Sequence, residues 1–163
     1  MLPILEKCSV LIIGLGYVGL PLALKLASQK SCLLTGKKLE RFVFGYDINN
    51  QRIKELSSGF DRNGIFSEEE IKKTKNIKFF NDKSFLKDIE VFIITVPTPI
   101  NDKNEPELSY IKEASKMVGE LIKDMKKRVF NPVIIYESTV YPGLTEEICI
   151  PIIERESKRK YNS

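Results

Sequence analysis

The sequence contains no histidine. The commonest general base and the commonest protein metal ligand are both missing, which argues against a hydrolase triad and against a zinc centre. Its three cysteines, Cys8, Cys32 and Cys149, are odd in number and share neither metal-type nor redox-type spacing. They read as packing or surface residues. No apolar run approaches the ~20 residues that span a bilayer. The first such run, Val10 to Ile13, leads straight into a glycine motif and is no signal peptide. No membrane association is expected, and the cytoplasm is the expected compartment. Charge of one sign is not concentrated either. The 26 basic residues are scattered among 22 acidic ones, and the net charge of +4 has one local excess, the tail Glu154 to Lys160. That tail reads as a solvated helix end, so no nucleic-acid partner is expected. Repeats, linkers and low-complexity segments are absent too.

What remains is 163 residues, 42% of them hydrophobic, enough for one domain with a real core over residues 1–163. Short, continuous apolar runs punctuate the chain at Ser9 to Ile13, Phe42 to Tyr46, Ile77 to Phe80, Glu90 to Val96 and Pro132 to Tyr136. Helical patterns separate them: Leu20 to Gln29, Asn49 to Ser58, a short helix from the capping box Ser67 to Glu70, and another over Asp82 to Asp88. A long amphipathic helix is predicted over Leu108 to Lys126, with Ile111, Ala114, Met117, Val118, Leu121 and Ile122 on its inner face. A last helix is predicted from Pro142 to about Lys158, kinked or broken at Pro151. Strands buried on both faces and alternating with helices call for an α/β fold, a doubly wound parallel sheet of Rossmann type. Ligands of such sheets sit at the C-terminal strand ends. The polar and Gly/Pro-rich segments fall there, after Ile13, at Asp47, after Val96 and after Tyr136.

Gly14-Leu15-Gly16-Tyr17-Val18-Gly19 follows a strand and opens a helix, the context in which this spacing signals dinucleotide binding. Gly14 permits the tight turn, Gly16 lets the backbone approach a pyrophosphate, and Gly19 lets helix and strand pack closely. Asp47 closes the second strand, where a carboxylate accepts from ribose hydroxyls and repels a 2′-phosphate, favouring NAD over NADP. It lies 28 residues past Gly19, against about 20 in the usual pattern. The surplus matches the polar stretch Lys30 to Arg41, an enlarged loop. Val96-Pro97-Thr98-Pro99-Ile100 is a strand end followed by a proline-fixed turn. Ser138 and Thr139 place two hydroxyls at the ligand edge, a pattern that a chance turn explains equally well.

The Gly14–Gly19 motif, Tyr46-Asp47-Ile48 with Arg52, Val96 to Asn101 and Glu137 to Glu147 together resemble the UDP-sugar 6-dehydrogenases, most closely the bacterial branch acting on UDP-N-acetylated hexosamines. The resemblance runs in order through nearly the whole chain. It implies that Gly14 to Gly19 holds the pyrophosphate of NAD. Asp47 and Arg52 would flank the adenosine ribose, and Val96, Pro97, Thr98 and Pro99 would line the adenine and ribose side. Ser138, Thr139 and Val140 would approach the nicotinamide, with Thr139 in a supporting catalytic role. The family oxidises the C6 alcohol of a UDP-sugar to a uronic acid with two NAD⁺, for surface polysaccharide precursors. A cysteine carries the covalent intermediate and a lysine stabilises the oxyanions. Both, with the central pairing helix and the UDP-sugar domain, are expected beyond residue 163, so this chain alone is expected to be inactive. Ile148, Ile152 and Ile153 of the last helix are expected to lie bare and to favour a homodimer unlike the family's own. Two alternatives stay open: the opening domain of a hydroxyacyl-CoA or 6-phosphogluconate dehydrogenase, and a non-catalytic NAD-binding module.

Overall fold

The computed structural model describes residues 1–100, 106–125 and 131–161; Asn101 and Lys126 lie outside them. Five strands, Val10–Ile13 (β1), Val43–Tyr46 (β2), Ile77–Phe80 (β3), Val91–Ile94 (β4) and Val133–Tyr136 (β5), form one sheet in the order β3-β2-β1-β4-β5. Every neighbouring pair is parallel. The chain steps outward from β1 to β3, then returns to lay β4 on the other side of β1. That reversal opens a crevice at the C-terminal ends of β1 and β4, where Ile13 and Ile94 are register partners.

The central strands β1 and β4 are continuously apolar because both faces of the sheet are covered there, whereas the edge strands β3 and β5 are only partly buried and β3 carries the exposed Lys78. Val10 and Ile12 pack into one core cluster with Leu20, Ala23, Leu24 and Ala27 of helix Gly19–Ser28 (α1) and with Ile53 and Leu56 of helix Asn50–Ser58 (α2). Leu11 and Ile13 point the other way, against Ala114, Met117, Val118, Leu121 and Ile122 of helix Ser109–Asp124 (α4). The predicted inner face of α4 is therefore the buried one. Its register holds because those residues recur at helical spacing.

Local chemistry sets the element ends. The Asn49 side chain accepts from the Arg52 N–H at 3.1 Å to start α2, and Gly59, with φ of 93°, stops it. Ser67 and Glu70 form the expected reciprocal capping box on the short helix Glu68–Lys73 (α3). Lys30 to Arg41 is a loop, folded back on itself by the Ser31–Lys38 bridge and tied to the N-terminal segment by Thr35 Oγ1 donating to Glu6 at 2.7 Å. The short helix expected over Asp82 to Asp88 is a single 3₁₀ turn, Lys83–Phe85.

The last helix departs from expectation. Pro142 does not open it: Pro142 and Gly143 form a turn in which Gly143 has φ of 92°. A widened π-turn over Thr145–Cys149 then runs directly into helix Ile150–Ser157 (α5), with the Ile150 N–H reaching back to the Thr145 carbonyl. Pro151 lies in the first turn of α5, directly after the wide turn, so the hydrogen bond that its ring cannot donate falls where the helix passes from π to α spacing. The wide turn thus takes the place of the expected kink. Ile148, Ile152 and Ile153 are half-buried rather than bare, with Ile153 packed against the α4 cluster and Ile148 against Leu144 and Cys149.

Candidate cofactor site

A cleft of about 920 Å³ lies over the crevice. Its floor is the β1–α1 turn, built around three glycines with three different needs. Gly14 has φ of +95°, a backbone conformation that side chains disfavour. A Cβ on Gly19 would sit 1.8 Å from the Gly14 carbonyl oxygen and 2.5 Å from Thr95 Oγ1, so helix and strand could not approach as they do. A Cβ on Gly16 would meet nothing within 4 Å. The fold itself makes no demand for glycine at position 16; only something outside the chain would.

Side chains from other strand ends hold this turn. Thr95 Oγ1 donates to the Gly14 carbonyl at 2.7 Å. Asp47 Oδ2 accepts from the Leu15 N–H at 2.8 Å, and Asp47 Oδ1 accepts from the Asn49 N–H at 2.9 Å. Arg52 Nε donates to the Leu15 carbonyl at 3.0 Å. The Leu15 side chain is fully buried and packs over Gly45, where an added Cβ would come within 3.1 Å of it. Among the described residues, the N–H groups of Gly16, Tyr17 and Val18 have no protein acceptor. The first turn of α1 carries no acidic side chain and no side-chain cap. Unpaired amides at a helix N-terminus, with the positive end of the helix dipole behind them, suit an anion.

The far wall comes from the ends of β4 and β5. Ser138, 9% exposed, donates to the Val96 carbonyl at 2.7 Å, and Thr98 Oγ1 donates to the Thr139 carbonyl at 2.6 Å. These two bonds lock the Val96–Pro97–Thr98 segment against Ser138–Thr139. They leave the exposed Thr139 hydroxyl without a partner among the described residues. Tyr110, Lys116 and Met117 of α4 close that side. At the β2 end stand Asp47, the well-exposed Ile48 and the Lys83–Glu120 ion pair, whose carboxylate holds the Lys83 ammonium above the usual lysine value.

Residues 8–163 match the model of the UDP-glucose/GDP-mannose dehydrogenase family, NAD binding domain. The chain belongs to that family. Relatives of this NAD-binding domain include the UDP-N-acetyl-D-glucosamine 6-dehydrogenase of Salmonella typhi, 39% identical over 158 residues, which span 97% of this chain and 33% of that protein. Protein CapL of Staphylococcus aureus is 39% identical over 149 residues, 91% of this chain and 31% of its own length. Among solved structures, a UDP-D-ManNAc dehydrogenase from Pyrococcus horikoshii superposes with a TM-score of 0.76 at 30% identity, over 94% of this chain and 34% of that one. The chain spans about a third of the length of the curated relatives it matches.

The family's NAD suits this cleft. The open approach at Gly16, the free amides beside it and the carboxylate at the β2 end match a pyrophosphate and a ribose. Of the residues expected at the site, Gly14 to Val18, Asp47, Val96, Pro97, Thr98, Ser138 and Thr139 line the cleft together. Gly19, Arg52, Pro99 and Val140 do not line it. Gly19 serves the close packing beneath the turn. Arg52, 5% exposed, lies under the turn in an ion pair with Asp61 at 2.8 Å. Sequence reading passed over Thr95 and Asp61. Thr95 looks like one more residue of an apolar strand run, and Asp61 lies in an ordinary polar turn sequence, so neither carries a signal until the fold brings it to the turn.

Proposed function

We propose that this chain forms the cofactor half of a nucleotide-sugar 6-dehydrogenase that oxidises the C6 alcohol of a UDP-N-acetylhexosamine to the uronic acid, a precursor for surface polysaccharide. NAD⁺, when bound, accepts the hydride. The N–H groups of Gly16, Tyr17 and Val18 would hydrogen-bond the pyrophosphate oxygens, with the positive end of the α1 dipole behind them. Asp47, already anchored by two backbone N–H groups, retains lone pairs for the adenosine ribose. Val96, Pro97 and Thr98 flank the adenine and ribose. Ser138 and Thr139 border the nicotinamide, where the free Thr139 hydroxyl can hold a substrate alcohol or water in place. The observation that carries this reading is Gly16, which faces open space and whose N–H, like those of Tyr17 and Val18, has no acceptor among the described residues.

The chain by itself supplies one side of the reaction. Cys8, Cys32 and Cys149 are all buried, and none lines the cleft. No thiol here is placed to hold an aldehyde-level intermediate. Orienting a sugar alcohol beside the nicotinamide is worth about 7–11 kcal/mol of barrier, and that task needs a second surface. Calorimetric titration should show NAD⁺ binding in preference to NADP⁺. NADH formation at 340 nm, followed with UDP-N-acetylglucosamine, UDP-N-acetylmannosamine and UDP-glucose, should be absent for the 163-residue chain. In a protein that joins this chain to the family's remaining domains it should be fastest with an N-acetylated sugar, at two NADH per product. Steady turnover by the short chain alone would defeat the reading.

A further inference from the structure

The Leu15–Gly16 peptide is one planar, trans unit, so its carbonyl and its N–H point in opposite directions. Arg52 Nε grips that carbonyl from beneath the turn at 3.0 Å. The Gly16 N–H on the other side of the same plane is thereby turned away from Arg52 and has no acceptor in the described protein. The preceding peptide is held just as fully, with its carbonyl on Thr95 and its N–H on Asp47. Two consecutive peptide planes are clamped, and the single group left over is the Gly16 amide.

Arg52 is itself held. Its Nη1 donates to Asp61 Oδ1 at 2.8 Å, and the Asp61 side chain is fully buried. Asp61 also accepts from the N–H groups of Asn63, Ile65 and Phe66, so a whole loop is wrapped around the carboxylate. The arrangement is a costly one. Burying two charges carries a desolvation penalty that an apolar pair of similar size would avoid, and Arg52 Nη2 is left buried with no partner among the described residues. A guanidinium, unlike an apolar side chain or an ammonium, offers donors in a rigid fork that can serve a carboxylate and a carbonyl at once.

We propose that Arg52 and Asp61 are positioning residues for NAD: the buried pair fixes the Leu15 carbonyl so that the Gly16 amide stands ready for the pyrophosphate, and Arg52 acts on the loop rather than on the ribose. This rests on the reading of the cleft as the NAD site. Asp61 is the remote member and touches neither the cleft nor the turn.

The decisive variant is Arg52→Lys, which keeps a cation beside Asp61 but cannot span both Asp61 and Leu15. In ligand-free protein, backbone ¹⁵N relaxation should show Gly16 passing from rigid, with an order parameter near about 0.85, to flexible, below about 0.6. By titration, NAD⁺ and ADP should each bind about tenfold more weakly, while adenosine is unaffected. A Gly16 that stays rigid would overturn the proposal. So would a loss of adenosine affinity matching that of NAD⁺, which would put Arg52 on the ribose. If Arg52→Lys does not fold, Asp61→Asn carries the same readouts, with the same expected and overturning results. A parent chain that fails to bind NAD⁺ at all would sink the cleft reading, whereas the relaxation result tests the clamp independently of it.

Discussion

Two glycines of one motif separate structure from function, and the contrast is measurable. In Gly19→Ala the new methyl group must sit 1.8 Å from the Gly14 oxygen and 2.5 Å from Thr95 Oγ1. The nearer obstacle is backbone and cannot rotate away, so α1 has to lift off the end of β1 by more than an ångström. Overpacking of this kind costs about 1–3 kcal/mol, and a backbone clash belongs at the upper end. Alanine returns at most about 1 kcal/mol of helix propensity, leaving a net loss of about 2 kcal/mol. At about 2–4 °C per kcal/mol for a domain of this size, the melting temperature should fall by about 4–8 °C. Gly16→Val, by contrast, projects into open cleft. Its stability should stay within about 0.5 kcal/mol of the parent, the range for an exposed substitution, or about 2 °C. NAD⁺ at ten times its Kd should stabilise the parent by about 1.4 kcal/mol, a rise of about 3–6 °C. Gly16→Val should show no such rise, because its side chain occupies the space the pyrophosphate needs. Differential scanning fluorimetry of three proteins with and without NAD⁺ is the whole experiment. If Gly16→Val melts as early as Gly19→Ala, or keeps the NAD⁺ shift, the division of labour between the glycines is wrong.

Asp47→Ala should weaken NAD⁺ by about 1.5–3 kcal/mol, the range for hydrogen bonds to a charged group, and should narrow the gap to NADP⁺; equal thermal shifts with the two cofactors in the parent would contradict the charge argument. Burial pushes the Asp61 carboxyl up, but the Arg52 guanidinium and the three backbone N–H groups outweigh it, and the net direction is down from 3.8. A carboxyl depressed in the folded state stabilises the fold above its unfolded value and loses that contribution as pH falls through the folded one. Melting temperature should therefore drop below about pH 4 less steeply in Asp61→Asn than in the parent, and identical acid limbs would show that Asp61 does not titrate as described. Ser138→Ala strands the Val96 carbonyl and should cost about 0.5–1.5 kcal/mol, or about 1–6 °C; unchanged melting would mean the tie between the β4 and β5 ends carries no load.

Local periodicity and local chemistry were enough for much of this molecule. Five apolar runs became five strands, the innermost of them, β1, buried on both faces as the pattern implies and the edge strands β3 and β5 only partly covered. The capping box at Ser67 and the amphipathic face of α4 depend only on neighbours within a turn or two, and both are where the pattern puts them. The glycine spacing after β1 and the acid at the end of β2 were legible for the same reason: each is a rule about one strand end. Tertiary structure decided the rest, since it depends on which strand ends become neighbours. Pro142 reads as a helix start, yet the chain turns there and enters the helix later, through a widened turn that accommodates Pro151. The family resemblance sets Arg52 beside Asp47 at the ribose; what only the fold shows is that its guanidinium lies beneath the glycine turn, paired with Asp61 nine residues further on. Thr95 is one more residue in an apolar run until the return of β4 beside β1 sets its hydroxyl on the Gly14 carbonyl. A side-chain hydrogen bond across 81 residues of sequence leaves no periodic trace, so the glycine loop could be named from the sequence, while the clamp that holds it could be seen only in the fold.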